Sequence, residues 1–187
     1  RRHRRFRPEV IDQLETLAHG SADDILLQDL ERRQPTDVRE LLARTSLPRS
    51  QARESLAALV DGGQVLVLDG RTGGEIPESS YLVTRSGWSA LRERLENLLA
   101  DFHRQYPLRA GMPREEVKSR LARHIADLSP RLFNEIAGRA LAEGWLAEGG
   151  TASDRLRLAS HEVKLQPAQQ RAVDELLRTF RREPYTT

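Results

Sequence analysis

Apolar residues recur at every third or fourth position along most of this chain, which is the spacing of amphipathic helices. Over the first sixty residues this recurrence predicts four helices. Pro8 suits the first turn of the first helix, and Ser21 with Asp24 resembles a capping box for the second. A short third helix follows around Val38, and a fourth runs from about Arg49 to Val60.

The spacing changes after Gly62-Gly63. The stretch QVLVLDG is apolar and β-branched and predicts a strand, and SYLVT predicts a second one. Between them, RTGGEIPES has the composition of a loop. Two short strands with a flexible tip after three helices are typical of a winged helix-turn-helix. We therefore predict a mainly α fold of tandem α+β winged-helix units, each with three helices and a small β-hairpin.

The same succession of elements is predicted a second time. A long helix leads from Ser86-Gly87 to Tyr106-Pro107, and helices follow at about 113–126 and 130–143. Strands are expected in GWLAEGG and DRLRLAS. The chain is therefore expected to contain two units of one kind.

Matching residues in the two stretches lie at a separation that grows along the chain. It is 72 between Leu26 and Leu98, 79 between Val38 and Val117, and 82 between Leu59 and Leu141. Growth of this kind places the insertions in turns, where they are tolerated. A third copy begins near the end of the sequence, where the pattern Leu98, Leu99, Phe102 and Arg104 recurs as Leu176, Leu177, Phe180 and Arg182.

The repeat divides the chain into four predicted segments. Residues 1–7 form a basic linker from an upstream domain, and residues 8–85 form unit one with an extra N-terminal helix. Residues 86–163 form unit two, and residues 164–187 the first helix of a truncated third unit. Because the sequence begins with arginine and not methionine, we expect it to be part of a longer protein.

The gap between the first two helices of unit two contains the stretch YPLRAGMPREEV. Two prolines and a glycine restrict the backbone there, so we predict a rigid elbow that fixes the path between the helices. Its structural residues are Pro107, Gly111, Met112 and Pro113.

Composition excludes several classes of protein. The chain is 38 % hydrophobic and 31 % charged, which is a globular balance, and no apolar run approaches the length of a membrane span. It has no cysteine, so we expect a reducing, cytoplasmic setting and no thiolate metal site. We find no P-loop, HExxH, GxSxG or EF-hand pattern, and the five histidines are scattered. We predict no catalysis, no metal and no cofactor in this chain.

A winged helix often binds nucleic acid through its third helix and its wing. The candidate RNA-binding residues lie in the basic N-terminal segment, the two third helices and the two wings. They are Arg1, Arg2, Arg4, Arg5, Arg49, Gln51, Arg53, Arg71, Arg131, Asn134, Arg139, Arg155 and Arg157.

The charge balance weakens this reading. Net charge is only +2, and acidic residues accompany the arginines on both third helices, as Glu54 does in unit one and Glu135 in unit two. A strong phosphate binder places several uncompensated cations on one face. The third helices are therefore expected to face a neighbouring unit, or nothing.

Three stretches together resemble the C-terminal extension of the bacterial selenocysteine-specific elongation factor, SelB. They are RRHRRFRPEVIDQLE, YPLRAGMPREEVKSRL and HEVKL, of which the second is the most specific. The resemblance implies four tandem winged-helix units that follow three domains like those of elongation factor Tu. It places GTP, Mg²⁺ and selenocysteinyl-tRNA in domains outside this chain, and the messenger RNA hairpin that recodes UGA on the last two units.

By this resemblance the chain holds units one and two. We expect a monomeric spacer with no membrane association, in a protein whose partners are the ribosome and RNA (a messenger RNA hairpin, transfer RNA or ribosomal RNA). Two alternatives stay open: a DNA-binding transcriptional regulator, which favours a basic third helix, and a protein–protein scaffold, which favours an exposed apolar patch.

Overall fold

The computed structural model describes residues 21–70, 75–150 and 154–182 of the chain. The predicted basic linker and the helix that Pro8 opens lie outside these residues. Two winged-helix units follow one another, and a further helix comes after them, so the predicted α+β winged-helix fold is confirmed.

Over its described residues, unit one contains three helices and three strands. They are α1 (Ala22–Arg32), β1 (Thr36–Asp37), α2 (Val38–Arg44), α3 (Arg49–Asp61), β2 (Val65–Val67) and β3 (Tyr81–Thr84). The predicted capping box is present: the Ser21 hydroxyl accepts from the Asp24 backbone N–H, and the Asp24 carboxylate accepts from the Ser21 backbone N–H.

Unit two repeats this order. It consists of α4 (Arg85–Gln105), β4 (Met112–Pro113), α5 (Arg114–Leu121), α6 (Pro130–Ala142), β5 (Leu146–Gly149) and β6 (Arg155–Leu158). Ser129 caps α6 through its hydroxyl, which accepts from the Leu132 backbone N–H, and Pro130 occupies the first turn as predicted. The predicted helix at 113–126 is shorter in the structure and ends at Leu121.

Each unit has a three-stranded antiparallel sheet, whereas the sequence predicted only a two-stranded hairpin. The strand order is β1-β3-β2 in the first sheet and β4-β6-β5 in the second. Thr36 pairs with Leu82, and Met112 pairs with Leu156, at the equivalent edge of the two sheets. Thr36 and Met112 are therefore equivalent residues and lie 76 positions apart in the sequence. The sequence match of Val38 with Val117 had placed this part of the repeat 79 positions apart.

The first sheet lies between two hydrophobic cores. One face contributes Val65, Val67 and Leu82 to the core of unit one. The other face contributes Val83, with Leu66 and Tyr81 packed beside it, to the core of unit two, which α4 dominates. A strand that is buried on both faces is apolar at every position, which explains the unbroken run VLVL.

No loop separates the two units. β3 ends at Thr84, the N-cap of α4, and the Thr84 hydroxyl accepts from the Gly87 backbone N–H at 3.0 Å. The side chain of Gln34 accepts from the Thr84 backbone N–H at 2.8 Å, so the turn after α1 holds the start of α4. A Cβ at Gly87 would lie 2.4 Å from that Gln34 side chain and would displace it from this hydrogen bond.

The predicted elbow becomes the edge of the second sheet. Met112 is fully buried, Pro113 is the N-cap of α5, and Pro107 stays on the surface. Gly111 passes so close to β6 that a Cβ there would lie 2.7 Å from the Leu156 carbonyl oxygen. Strand pairing, in addition to proline, therefore determines the path of this segment.

The last helix, α7 (Pro167–Arg182), packs against neither unit, and none of its residues is buried. Its apolar stripe is exposed: Leu176, Leu177 and Phe180 are each about half accessible, at 58 %, 49 % and 51 %. The helix itself was predicted, and its assignment to a third unit stays a prediction.

Candidate nucleic-acid interface and the contact between the units

The arginines at the start of α3 are paired with acidic residues of the wing loop. Arg49 and Arg53 both donate to the Glu78 carboxylate, Arg53 at 2.7 Å, and Arg53 also lies 3.5 Å from Glu75. The hydrogen bond from Arg49, against the opposing effect of burial, holds the pKa of the Glu78 carboxyl below its usual range. Gln51 is exposed nearby. The third helix of unit one therefore presents little uncompensated positive charge.

In unit two, the third helix α6 turns its arginines toward unit one. Arg131 donates to the Ser79 carbonyl at 3.0 Å, pairs with Glu135 at 3.2 Å and lies 5.6 Å from the centre of the Tyr81 ring. Arg139 donates to the Val67 carbonyl at 2.9 Å. The residues that would read a groove in a DNA-binding winged helix instead bind the hairpin of the preceding unit.

Glu143 is the centre of a polar cluster at this contact. Its carboxylate accepts from the indole N–H groups of Trp88 and Trp145, both at 3.0 Å, and from Arg139 at 2.9 Å. The guanidinium of Arg139 also lies over the Trp88 ring at 5.4 Å, and that of Arg92 over Trp145 at 5.2 Å.

This environment has opposing effects on the titration of Glu143. Burial raises the pKa of its carboxyl, but the hydrogen bonds from the two indoles and from Arg139, with the charge of that arginine, outweigh burial and lower it. The carboxylate is therefore the stable form of Glu143 at neutral pH.

Two further polar contacts join the units. The Tyr81 and Ser129 hydroxyls are 3.3 Å apart, and Arg33 donates to Asp127 at 2.9 Å. Together with the shared apolar face of the first sheet, these contacts extend the junction from the wing of unit one to the end of α1.

The remaining candidate residues lie elsewhere. Asn134 is exposed and accepts a long contact from Arg114 at 3.5 Å. Arg155 lies 3.7 Å from Asp154. Arg157 donates to backbone carbonyls in the turn after β6, the closest being His161 at 2.8 Å. Arg1, Arg2, Arg4, Arg5 and Arg71 lie outside the described residues.

Sequence reasoning missed the acceptors that occupy these arginines. Glu78 lies 25 residues from Arg53, and the Val67 carbonyl lies 72 residues from Arg139. One signal was available, because Trp88 and Trp145 are the two tryptophans of the chain. A buried indole N–H needs an acceptor, which pointed to a polar partner near them.

The described residues contain no group of three or more histidines or acidic residues placed to hold a metal ion. Within the same residues, no helix is both long and apolar enough to cross a membrane.

Comparison with known proteins identifies one family. Residues 97–152, from the middle of α4 to just past β5, match the family model described as elongation factor SelB, winged helix. No curated protein matches the chain. This match lies within unit two and confirms the resemblance to the C-terminal winged-helix extension of SelB.

Proposed function

We propose that the two units form a rigid spacer within a selenocysteine-specific elongation factor. In this role they join a body that binds GTP and selenocysteinyl-tRNA to distal units that bind the recoding hairpin of the messenger RNA. The chain itself carries out no catalysis, and its setting is cytoplasmic.

The observation that carries this proposal is that the arginine-bearing side of α6 faces unit one. Its arginines Arg131 and Arg139 donate to carbonyl groups of unit one, so the surface that commonly meets nucleic acid is part of a contact within the chain. The same contact buries the outer face of the first sheet. A helix used in this way favours holding distance and orientation over reading a sequence.

Direct continuity of β3 and α4 supports the same role. A linker of several flexible residues would let the units move apart, whereas here the last strand of one unit caps the first helix of the next. Buried apolar surface and hydrogen bonds then oppose rotation about the connection.

The proposal is tested by binding and by orientation. In a salt titration, we expect this chain to bind the recoding hairpin and an unrelated hairpin of equal length with the same weak, salt-sensitive affinity. A longer chain that ends after the fourth unit is expected to prefer the recoding hairpin. Duplex DNA serves as a third ligand, because preference for one DNA sequence would favour a transcriptional regulator.

Orientation is measured by residual dipolar couplings of the backbone amides. One alignment tensor is expected to fit residues 21–70 and 75–150 together. Two different tensors, or specific binding of the recoding hairpin by the shorter chain, would contradict the spacer proposal.

A further inference from the structure

Nearly every arginine of the two units has a partner in the structure. Over the described parts of 21–158, their side chains form a hydrogen bond or an ion pair with an oxygen of the protein or lie over an aromatic ring, with two exceptions. The side chains of Arg94 and Arg123 make no hydrogen bond, ion pair or ring contact, and both residues are exposed.

These two arginines line the same groove. It lies between the middle of α4 and the end of α5, encloses about 400 Å³, and is also lined by Asn97, Arg120 and His124. The floor is apolar and consists of Leu98 and the buried Leu121. We call this the α4–α5 groove.

Carboxylates near the groove do not neutralise the two arginines. Asp101 also lines it, but it is paired with Arg104, and Glu116 is paired with Arg120. Cations at the end of α5 complement the helix dipole, which accounts for part of the positive charge there. The dipole gives no reason for Arg94, because that residue lies within α4, 11 residues from its last residue.

We propose that the α4–α5 groove binds the phosphodiester backbone of RNA without reading its sequence. Guanidinium groups form paired hydrogen bonds with phosphate oxygens. The Asn97 amide can donate to or accept from a ribose hydroxyl, and the leucine floor suits the apolar face of a sugar. The groove differs from the third helices and wings, where the sequence had placed the RNA-binding candidates.

This inference goes beyond the spacer role and is independent of it. A spacer that touches RNA backbone on one side still holds distance between the two ends of a factor. If the groove does not bind RNA, the spacer proposal still stands. If the two units move relative to each other, the spacer proposal fails, but the groove can still bind RNA.

The test compares two double variants of the full 187-residue chain. In Arg94→Gln/Arg123→Gln the groove loses its two unpaired charges. In the control, Arg178→Gln/Arg181→Gln, α7 loses two arginines that also lack a partner in the structure, so the change in net charge is equal. All four side chains are exposed, and circular dichroism checks that both variants fold.

Binding is measured by fluorescence anisotropy with a labelled single-stranded RNA, an RNA duplex and, as an acidic protein mimic, polyglutamate. We expect the wild-type chain to bind RNA and the groove variant to bind it about tenfold more weakly at low salt. The slope of log K against log salt is expected to fall by about 1.4 for single-stranded RNA, as for two lost phosphate contacts, and to stay unchanged in the control.

Nuclear magnetic resonance then locates the contact. Added RNA, but not inorganic phosphate alone at the same phosphate concentration, is expected to shift the Asn97 side-chain amide signals. Three outcomes overturn the proposal: an equal loss in both double variants, tighter binding of polyglutamate than of RNA, or no shift at Asn97.

Discussion

The two sheets have the same strand order, but their outer faces, which point away from the core of their own unit, differ in polarity. Strand pairing makes Leu66, Tyr81 and Val83 in the first sheet equivalent to Ala147, Arg155 and Arg157 in the second. The apolar set of the first sheet packs on unit two, whereas Arg155 and Arg157 contact an aspartate and backbone carbonyls. On the inner faces, by contrast, Leu82 and Leu156 are both buried leucines.

This difference shows that docking between units is not a property of the winged-helix fold itself. The central strand of the inner face closes each unit, so Leu82 and Leu156 are both apolar and buried, whereas the position equivalent to Val67 is the exposed Glu148 in the second sheet. The outer face is apolar only where a neighbour covers it, because a charged side chain would lose its hydration there. A further unit that followed the second would therefore have to dock in a different way.

The largest effect is expected from giving the first sheet the outer face of the second. Val83→Arg would bury an unpaired charge between the two cores and is expected to lower the free energy of unfolding by about 3–5 kcal/mol. Ala147→Arg, on the equivalent face of the second sheet, is expected to cost less than about 1 kcal/mol. Urea unfolding at pH 7 measures both, and equal costs would remove the distinction between the faces.

A smaller effect is expected at the polar cluster of the contact. Glu143→Gln keeps the shape but removes the charge that two indoles and Arg139 contact, so we expect a loss of about 1–3 kcal/mol at pH 7. Asp61→Asn is the matched control, since Asp61 occupies the corresponding place in the repeat and is exposed.

The sign of the pH dependence of Glu143 follows from its lowered pKa. Stability from its carboxylate is present above the pKa of the unfolded chain and is lost as the pH falls through the lower folded value. The difference between wild type and Glu143→Gln is therefore expected to shrink below about pH 4.5. A difference that grows with acidity would show that another group controls this cluster.

A third prediction concerns unit two alone and needs no contact between units. Burial, with the charges of His161 and Arg157, lowers the pKa of His103 to about 4. The ring stacks on His161 at 3.6 Å between centroids, and its Nε2 accepts from the Leu158 backbone N–H at 3.4 Å. Neutral His103 therefore joins α4 to the turn after β6.

Because the folded pKa of His103 lies below the usual 6.5, the unfolded chain takes up the proton first as the pH falls. Stability is thus expected to decline from about pH 6.5 to about pH 4, and His103→Gln is expected to flatten that decline. His124→Gln, at an exposed histidine, serves as the control. An unchanged profile in the His103 variant would contradict the assignment.

The smallest effect is expected at the hydroxyl pair across the junction. Tyr81→Phe removes a contact of 3.3 Å to Ser129 but leaves the ring against Arg131, so we expect a loss of about 0.5 kcal/mol or less. Thermal unfolding of the variant beside wild type resolves it. A loss several times larger would mean that the hydroxyl, and not the apolar face, positions the two units.

Within the described residues, the sequence by itself determined the helices, four of the six strands and the repeat. Helix spacing, the capping residues Ser21 and Ser129, and the apolar run VLVL are local features that need no knowledge of the fold. The edge strands β1 and β4 were missed because each is only two residues long, which is too short to show an alternating pattern. In β4 one of the two residues is Pro113, which does not predict a strand.

Tertiary structure alone decided what the arginines do. Arg131 and Arg139 look like nucleic-acid contacts by position in the helix, and only the packed units place the Ser79 and Val67 carbonyls within their reach. Arg94 belongs to no sequence motif, and it differs from the other arginines of α4 only because its side chain has no partner in the fold. Hydrogen bonding depends on distances across the fold, and a sequence specifies donors and acceptors without saying which of them meet.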